Sequence, residues 1–258
     1  MRIAFLGASD FGFKCLEIIT KIEGINICGV ISNLRTFKIS YNQSGVDNIL
    51  YEDFESFCNI NNIPFYRMSE NMREANLKKF LIDCHPDLVV VIGWYHLIPK
   101  SLLANFTFVG IHASLLPDYS GGAPLVWAII NGEKKTGITL FYFDEGVDSG
   151  DIIGQEEITI EEDDTIKSLY LKVEISAKKM ILDMLPKLAQ GKAPRIKQDE
   201  SKRRIFPQRR PEDGLIDWEW DAGRLKNFIR AQTRPYPGAW TIINQKKVII
   251  WDADISEV

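Results

Sequence analysis

The first part of the chain alternates short apolar runs with segments whose apolar residues recur at helical spacing. The run DLVVVIG at residues 87–93 predicts a fully buried strand, because near-continuous β-branched residues fit a parallel strand covered on both faces. The same patterns predict strands at residues 2–6, 25–32 and 106–112, and helices at residues 11–22, 70–83 and 124–130. This alternation predicts an α/β fold with an open, mostly parallel, doubly wound sheet.

The pattern changes after Gly137. Residues 138–143 and 152–160 are predicted to be extended, and residues 165–188 to form a long amphipathic helix. Residues 191–214 are rich in charge and proline, which is typical of a connecting loop or an ordered binding loop. The following aromatic residues suffice for a small lobe: Trp218, Trp220, Phe228, Trp240 and Trp251. We therefore predict a main domain over residues 1–190, and the connecting loop with a small β-rich C-terminal lobe over residues 191–258.

Composition and charge narrow the class of protein. With 45% hydrophobic and 26% charged residues, the chain matches an average globular protein and excludes disorder or a fibrous repeat. The net charge of −4 argues against general attraction to tRNA, apart from one basic cluster formed by Lys202, Arg203, Arg204, Arg209 and Arg210. The four cysteines lack metal-binding spacing, so we expect reduced thiols, no metal and a cytoplasmic protein. No apolar run approaches a bilayer-spanning length, so no membrane contact is expected.

The most informative segment runs from residue 109 to residue 151. His112 stands at the end of a predicted strand, where open α/β sheets place their ligand crevice. Asp148 follows a predicted helix and strand that could return the chain to the same edge. An aspartate close to a histidine can orient the imidazole and raise its pKa, which suits a general base. A single histidine is nonetheless more often structural than catalytic.

The first turn, GASDFG, offers a weaker signal. Gly7 and Gly12 do not have the spacing of a dinucleotide-binding loop. A helix cap at Ser9 or Asp10 is therefore favoured over a cofactor role, while contact with a ligand at the edge of this turn stays open.

Several longer stretches of the sequence resemble a known family. The run HASLLP, the GGAP that follows it and the later DSGD resemble the folate-dependent formyltransferases, which include methionyl-tRNA formyltransferase, glycinamide ribonucleotide formyltransferase and the sugar N-formyltransferases. The strings VVVIGWYHLIP, PEDGLIDW and RPYPGAW extend the resemblance over nearly the whole chain. It implies a Rossmann-like formyltransferase domain and N10-formyltetrahydrofolate as the co-substrate.

The resemblance also implies catalytic residues. His112 and Asp148 match the histidine and aspartate of the family's Asn-His-Asp triad, but the asparagine position holds Gly110. In the family the asparagine amide is thought to hold the formyl oxygen as it becomes an oxyanion, and loss of such a donor typically costs about 10²–10³ in rate. Either a backbone N–H, Ser114 or a water replaces it, or the chain is slow, inactive or an engineered variant.

The expected ligand contacts follow from the same resemblance. His112 would take the proton of the attacking amine, and Asp148 would orient it. The pterin of the folate is expected against Ile92, Trp94, Tyr95, Leu97, Ile98, Asp144, Gly146 and Val147. For Trp94, Tyr95 and His96 the alternative is a loop packed on the sheet. The acceptor is expected against Ser9, Ser114, Tyr119, Ser120, Gly121, Gly122, Arg204 and Arg209. For the arginines the alternative is a solvated loop.

The C-terminal strings PEDGLIDW and RPYPGAW resemble the sugar N-formyltransferases more than the methionyl-tRNA formyltransferases. Ser120 favours the same branch, because the tRNA branch usually has arginine at this position. We expect a nucleotide-linked amino sugar as acceptor, with a 4-amino-4,6-dideoxyhexose as the expected sugar, for cell-surface polysaccharide such as lipopolysaccharide O-antigen. We also expect a homodimer that does not bind nucleic acid. The alternatives are a formyltransferase for methionyl-tRNA or another metabolite, and an inactive relative that binds folate or nucleotide sugar.

Overall fold

The computed structural model describes residues 1–39, 42–69 and 71–256. The chain forms two compact units whose segments alternate along the sequence. Unit 1 comprises Met1–Ile111, Leu140–Gly154 and Ala177–Lys197. Unit 2 comprises His112–Thr139, Gln155–Ser176 and Gln198–Val258. The boundary predicted between residues 190 and 191 follows chain order rather than contacts and stays a prediction.

The helices and strands have the following bounds. The strands are β1 (Arg2–Leu6), β2 (Asn26–Asn33), β3 (Thr36–Ile39), β4 (Asn42–Asp47), β5 (Phe65–Met68), β6 (Leu88–Val91), β7 (Phe108–His112), β8 (Ser120–Gly121), β9 (Lys135–Tyr142), β10 (Ile152–Thr159), β11 (Ile205–Phe206), β12 (Ala239–Ile243) and β13 (Lys246–Ile250). The α-helices are α1 (Asp10–Ile19), α2 (Phe54–Ile60), α3 (Ala75–Cys84), α4 (Lys100–Leu103), α5 (Pro124–Ile130), α6 (Ile166–Ala189) and α7 (Ala222–Arg230).

The large sheet has the strand order β10-β9-β7-β6-β1-β2-β5. Within unit 1, β1 pairs in parallel with β2 and β6, β2 with β5, and β6 with β7. Every residue of β6 is buried, as expected for a parallel strand covered on both faces. The predicted open, mostly parallel, doubly wound sheet is confirmed.

The first turn of unit 1 acts as a helix cap. The hydroxyl of Ser9 accepts a hydrogen bond from the backbone N–H of Gly12 at 3.3 Å, which satisfies one of the free amides at the start of α1. The side chain of Ser9 is buried, and this explains why a serine precedes the helix at this position.

Helix α3 begins later than the periodicity predicted, at Ala75 instead of residue 70, and Glu70 lies outside the described residues. The carboxylate of Glu74 accepts hydrogen bonds from the backbone N–H groups of Ser69 at 3.1 Å and Asn71 at 3.0 Å. These bonds hold a non-helical lead-in before the helix, because side-chain acceptors compete with helical hydrogen bonding.

Unit 2 contains the C-terminal lobe and part of the predicted loop. Strands β12 and β13 form an antiparallel pair, and a small core next to it contains Ile216, Phe228, Ile229 and Ala239. The predicted small β-rich lobe is therefore confirmed as a two-stranded antiparallel element with helix α7. The loop at residues 191–214 contains β11, which pairs in parallel with β8. This segment is therefore ordered by backbone pairing.

Candidate active site

His112 is held at the end of β7 by the loop that follows it. Its Nε2 lies 2.8 Å from the backbone carbonyl oxygen of Tyr119 in unit 2. A carbonyl oxygen can only accept, so Nε2 carries the hydrogen in the neutral imidazole and the lone pair lies on Nδ1. Tyr119 itself has a left-handed backbone, with φ of 54°. The loop thus fixes the tautomer of His112 and makes Nδ1 the atom that can accept a proton.

Ser114 lies two residues further along the same loop. Its side chain is 1% exposed, and its hydroxyl donates to the backbone carbonyl of Asp118 at 2.7 Å. A serine hydroxyl has one proton to donate, and here that proton is engaged in fixing the loop.

Gly110 lies on β7 in unit 1, paired with Val91 of β6. A Cβ atom added at Gly110 would lie 2.6 Å from Cε1 of Phe143 and 2.6 Å from the backbone oxygen of Val91. Ordinary contacts between carbon atoms are about 3.5–4.0 Å, so this position has no space for a side chain. The place of the family's asparagine side chain is therefore occupied by the ring of Phe143 and by backbone. Phe143 is a residue that the sequence analysis missed.

Asp148 lies in a tight loop of unit 1. Its backbone is left-handed, with φ of 52°, a conformation that non-glycine residues seldom adopt and that often marks a functional position. The loop is braced by Asp144, whose carboxylate accepts hydrogen bonds from the N–H of Gly146 at 3.0 Å and the hydroxyl of Ser149 at 2.6 Å. Asp144 and Gly146, both expected near the pterin, therefore hold the loop that presents Asp148.

The two segments expected to line the pterin lie close to each other in unit 1. An ion pair joins Lys100, just after the first segment, to Glu145 in the second. Ile92 is buried, Trp94 and Ile98 pack against the hydrophobic core, and Leu97 is exposed. The structure thus supports the packed-loop alternative for part of the first segment.

Polar groups of the same segment differ in their partners. The hydroxyl of Tyr95 donates to the side chain of Asn48 at 3.2 Å. Nε1 of Trp94 and Nε2 of His96 are buried and have no hydrogen-bond partner among residues 1–39, 42–69 and 71–256. Burial lowers the pKa of His96, so this imidazole is neutral at pH 7.

The arginines expected at the acceptor have protein partners. The Arg204 guanidinium donates two hydrogen bonds to the Asp118 carboxylate, at 2.6 Å and 2.7 Å, and a third to Glu133 at 3.2 Å. These bonds, above all those to Asp118, raise its pKa. Arg209 lies over the ring of Trp127, with 4.8 Å from its Cζ to the ring centroid. Arg204 is thus paired with carboxylates although its side chain is 52% exposed, whereas Arg209 is packed on an aromatic ring.

The Gly-Gly turn has a structural explanation. Gly121 has φ of 94°, which favours glycine, and a Cβ at Gly122 would lie 2.4 Å from the Cα of Gln208. Both glycines permit the close approach of β8 and β11. Ser120 is fully buried there, and its hydroxyl donates to the carbonyl of Pro117 and accepts from Arg203 at 2.7 Å.

A row of aromatic rings continues from this turn. The rings of Tyr119 and Phe206 stack with centroids 4.4 Å apart, and Phe206 lies 5.6 Å from Trp127. Trp127 donates to the carbonyl of Pro207 at 2.8 Å. Phe206 and Trp127 were not predicted as site residues, although Trp127 belongs to the YSGGAPLVW string.

Within residues 1–39, 42–69 and 71–256, histidine, cysteine and acidic side chains do not gather in groups of three or more that could hold a metal ion. In the same described part of the chain, every helix is too short or too polar to cross a membrane.

Comparison with known proteins places these features in context. A family model described as formyl transferase matches residues 1–185, and one described as formyl transferase, C-terminal domain, matches residues 209–257. The methionyl-tRNA formyltransferase of Caldanaerobacter subterraneus subsp. tengcongensis is 33% identical over 271 residues, which cover 100% of this chain and 82% of that protein.

Two solved structures share the fold. A sugar N-formyltransferase from Shewanella sp FDAARGOS_354 is similar over 100% of this chain and 99% of its own, with a TM-score of 0.75 and 19% identity. WlaRD, a sugar 3N-formyl transferase studied in the presence of dTDP and 5-N-formyl-THF, covers 96% of this chain and 85% of its own, with a TM-score of 0.70 and 21% identity.

Proposed function

The chain belongs to the formyltransferase family and is a formyl-transfer enzyme, and from this premise we propose that it moves a formyl group from N10-formyltetrahydrofolate to the amine of a nucleotide-linked amino sugar. The observation that carries the choice of acceptor is Ser120. Where the tRNA branch usually has an arginine, this chain has a fully buried serine bonded to Pro117 and Arg203. This position therefore lacks the arginine side chain of the tRNA branch, and the guanidinium of Arg203 beside it is largely buried by the protein.

His112 is proposed as the general base. The neutral amine attacks the formyl carbon, a new C–N bond forms, and negative charge develops on the formyl oxygen. Nδ1 of His112 takes the proton from the resulting ammonium, since Nε2 is already protonated and donates to Tyr119. The oxyanion then re-forms the carbonyl as the bond from the formyl carbon to N10 breaks, and N10 receives the proton held on Nδ1 of His112, so that tetrahydrofolate leaves and His112 is neutral again. Asp148 is proposed as the carboxylate that supports His112, on the family resemblance.

The oxyanion donor is proposed to be a backbone N–H or a water. Gly110 has no space for a side-chain donor, because the ring of Phe143 and the backbone oxygen of Val91 lie where one would start. The hydroxyl of Ser114 already donates to Asp118. Of the replacements considered for the family's asparagine, the backbone amide and the water therefore have the stronger support.

The setting of the reaction follows from the proposed acceptor. We infer a cytoplasmic homodimer that supplies a formylated amino sugar, expected to be a 4-amino-4,6-dideoxyhexose, to cell-surface polysaccharide such as O-antigen. The folate contacts are proposed at Ile92 to Ile98 and at Asp144 to Val147. A second candidate acceptor is methionyl-tRNA, which the full-length similarity to a methionyl-tRNA formyltransferase favours.

One experiment separates these acceptors. The purified protein is incubated with N10-formyltetrahydrofolate and either a panel of nucleotide-linked amino sugars or methionyl-tRNA, and release of tetrahydrofolate is followed by absorbance. We expect turnover only with an amino sugar, and none with the His112→Asn variant. A higher rate with methionyl-tRNA would overturn the assignment. Folate binding without turnover of any acceptor would instead favour the inactive relative.

A further inference from the structure

Unit 2 contains a cavity that none of the predicted catalytic residues uses. It has a volume of about 620 Å³, within the range of small-molecule sites. It lies between the end of helix α5, the loop after β11 and helix α7. Three aromatic and three arginine side chains contribute to its walls: Trp127, Trp220, Phe228, Arg209, Arg210 and Arg224.

The charge of this cavity differs from that of the whole chain. The chain carries a net charge of −4, whereas the cavity has three arginines and one carboxylate, Asp213. That carboxylate already accepts a hydrogen bond from the backbone N–H of Arg210 at 2.7 Å. An excess of positive charge in a concave site attracts and holds an anion.

Arg209 is the central cation of the cavity; its hydrogen bonds in the described part of the chain go to uncharged oxygens, and the Asp213 carboxylate acts on it only through its charge. Its guanidinium donates to the backbone oxygen of Asp213 at 2.6 Å and to the amide oxygen of Gln232 at 2.8 Å. Burial lowers the pKa of this guanidinium, which shows that its charge is poorly solvated. Arg204, in the same basic cluster, is by contrast paired twice with Asp118. A buried cation held by neutral acceptors is stabilised when an anion binds to it.

The arginines of the cavity are also oriented. Arg209 lies over Trp127 at 4.8 Å and near Phe228 at 5.6 Å, and Arg224 lies over Trp220 at 4.5 Å. Stacking on an aromatic ring fixes the plane of a guanidinium, and a planar guanidinium matches the oxygens of a phosphate. Aromatic side chains in the wall of a cavity can in turn contact a nucleobase.

The cavity is connected to His112 within unit 2. Trp127, in its wall, is the end of the aromatic row that passes through Phe206 to Tyr119. The carbonyl of Tyr119 is the group that fixes His112. The ring of Phe206 thus connects Trp127, in the cavity wall, to Tyr119, whose carbonyl holds the proposed base.

We propose that this cavity binds the nucleoside diphosphate of the acceptor, with the phosphates on Arg209 and the base on the aromatic wall near Trp220. This assignment rests on the proposed function, since it names where the nucleotide of the amino sugar is held. It also changes the expectation for the basic cluster: Arg209 contacts the nucleotide, and Arg204 has a structural role.

The test is direct binding of nucleotides in the absence of folate. Isothermal titration calorimetry is performed with uridine, thymidine and guanosine diphosphates, with pyrophosphate, and with uridine alone. We compare the wild-type protein with the Arg224→Gln variant and with a matched control, Arg234→Gln. Arg234 lies over Trp251 at 4.8 Å, so it has the same stacked arrangement but is not part of the cavity wall.

We expect at least one nucleoside diphosphate to bind, and Arg224→Gln to raise its Kd about tenfold, with weaker dependence on salt. Arg209→Gln is expected to raise the Kd further, and its thermal unfolding is measured alongside to show that it is folded. Arg234→Gln should stay within about twofold of wild type. Pyrophosphate should bind more weakly than the diphosphates, and uridine weakest of all, since each lacks one part of the ligand.

The outcomes separate the cavity from the proposed reaction. Equal losses in Arg224→Gln and Arg234→Gln, or a Kd unchanged in both cavity variants, would overturn the cavity as the nucleotide site. So would binding of none of the three diphosphates. Formylation of an amino sugar with a KM independent of Arg224 would overturn the cavity and leave the proposed function intact. If the nucleotide binds only when Arg224 is present but the protein formylates only methionyl-tRNA, the cavity is the nucleotide site and the proposed amino-sugar reaction is wrong.

Discussion

The space around Gly110 decides whether this position can hold a side chain. A Cβ there would lie 2.6 Å from both Cε1 of Phe143 and the backbone oxygen of Val91, about 1 Å closer than an ordinary contact. Both neighbours are fixed. Val91 belongs to the β6–β7 pair, and Phe143 is stacked on Phe141 with centroids 4.9 Å apart. Overpacking a well-filled site typically costs about 1–3 kcal/mol. We therefore expect Gly110→Asn to lower the free energy of unfolding by about 2–3 kcal/mol and to leave kcat unchanged or lower.

Two further variants separate the steric effect from the chemical one. Gly110→Ala adds the same Cβ without an amide, and should lose a similar amount of stability. In Gly110→Asn/Phe143→Ala the ring is removed, while the conflict with Val91 remains. A double-mutant cycle of unfolding free energies should therefore show a favourable coupling of about 1 kcal/mol between the two substitutions. Urea unfolding supplies the free energies, and single-turnover kinetics supply the rate of formyl transfer.

The opposite result would refute this steric argument. If Gly110→Asn unfolds within about 0.5 kcal/mol of wild type and raises kcat tenfold or more, then the site has space for the amide. In that case Gly110 would be a simple loss of an oxyanion donor, whose restoration should raise kcat by about 10–10³-fold. A Gly110→Ala variant of normal stability would point the same way.

Three other residues give separate tests. His112→Asn should lower kcat at least about 10²-fold with the fold intact by circular dichroism, and a near-normal kcat would assign the base elsewhere. Asp148→Asn should keep the unfolding free energy within about 0.5 kcal/mol, because asparagine tolerates φ of 52°, while kcat falls at least about 10²-fold; equal activity would exclude a role for the carboxylate. For Asp164, burial opposes ionisation, but hydrogen bonds from Lys172 and Ser168 outweigh it and hold the pKa below its ordinary value. A depressed pKa gives stability that is present above the unfolded-state value near 3.9 and lost as the pH falls through the folded value. Asp164→Asn should therefore unfold more easily than wild type at pH 7 by about 1–3 kcal/mol, and the difference should shrink by pH 3 in urea titrations; a difference independent of pH would contradict this.

Much of the fold could be predicted because its signals are local. The continuous apolar run of β6 and the helical periodicity before Ile130 depend on neighbours in sequence, and both predictions agree with the structure. The start of helix α3 was predicted too early. The carboxylate of Glu74 accepts hydrogen bonds from two backbone amides that precede the helix, and hydrophobic periodicity contains no information about these bonds.

The candidate site was less predictable, since its decisive features are contacts between distant residues. His112 could be identified by its strand-end position and the strings around it, but its tautomer depends on a carbonyl placed by the left-handed backbone of Tyr119. The obstruction at Gly110 depends on Phe143, far along the sequence. The two arginines looked equivalent in sequence, yet Arg204 is paired with Asp118, while Arg209 is held by uncharged oxygens.

The alternation of the two units along the chain has a consequence for biosynthesis. Unit 1 receives its last segment, Ala177–Lys197, only after two segments of unit 2 have been made. From residue 111, where the first segment of unit 1 ends, to residue 197 the ribosome adds 86 residues, which takes about 4–17 s at about 5–20 residues per second. During that time unit 1 is incomplete, and both it and the first segments of unit 2 must avoid aggregation.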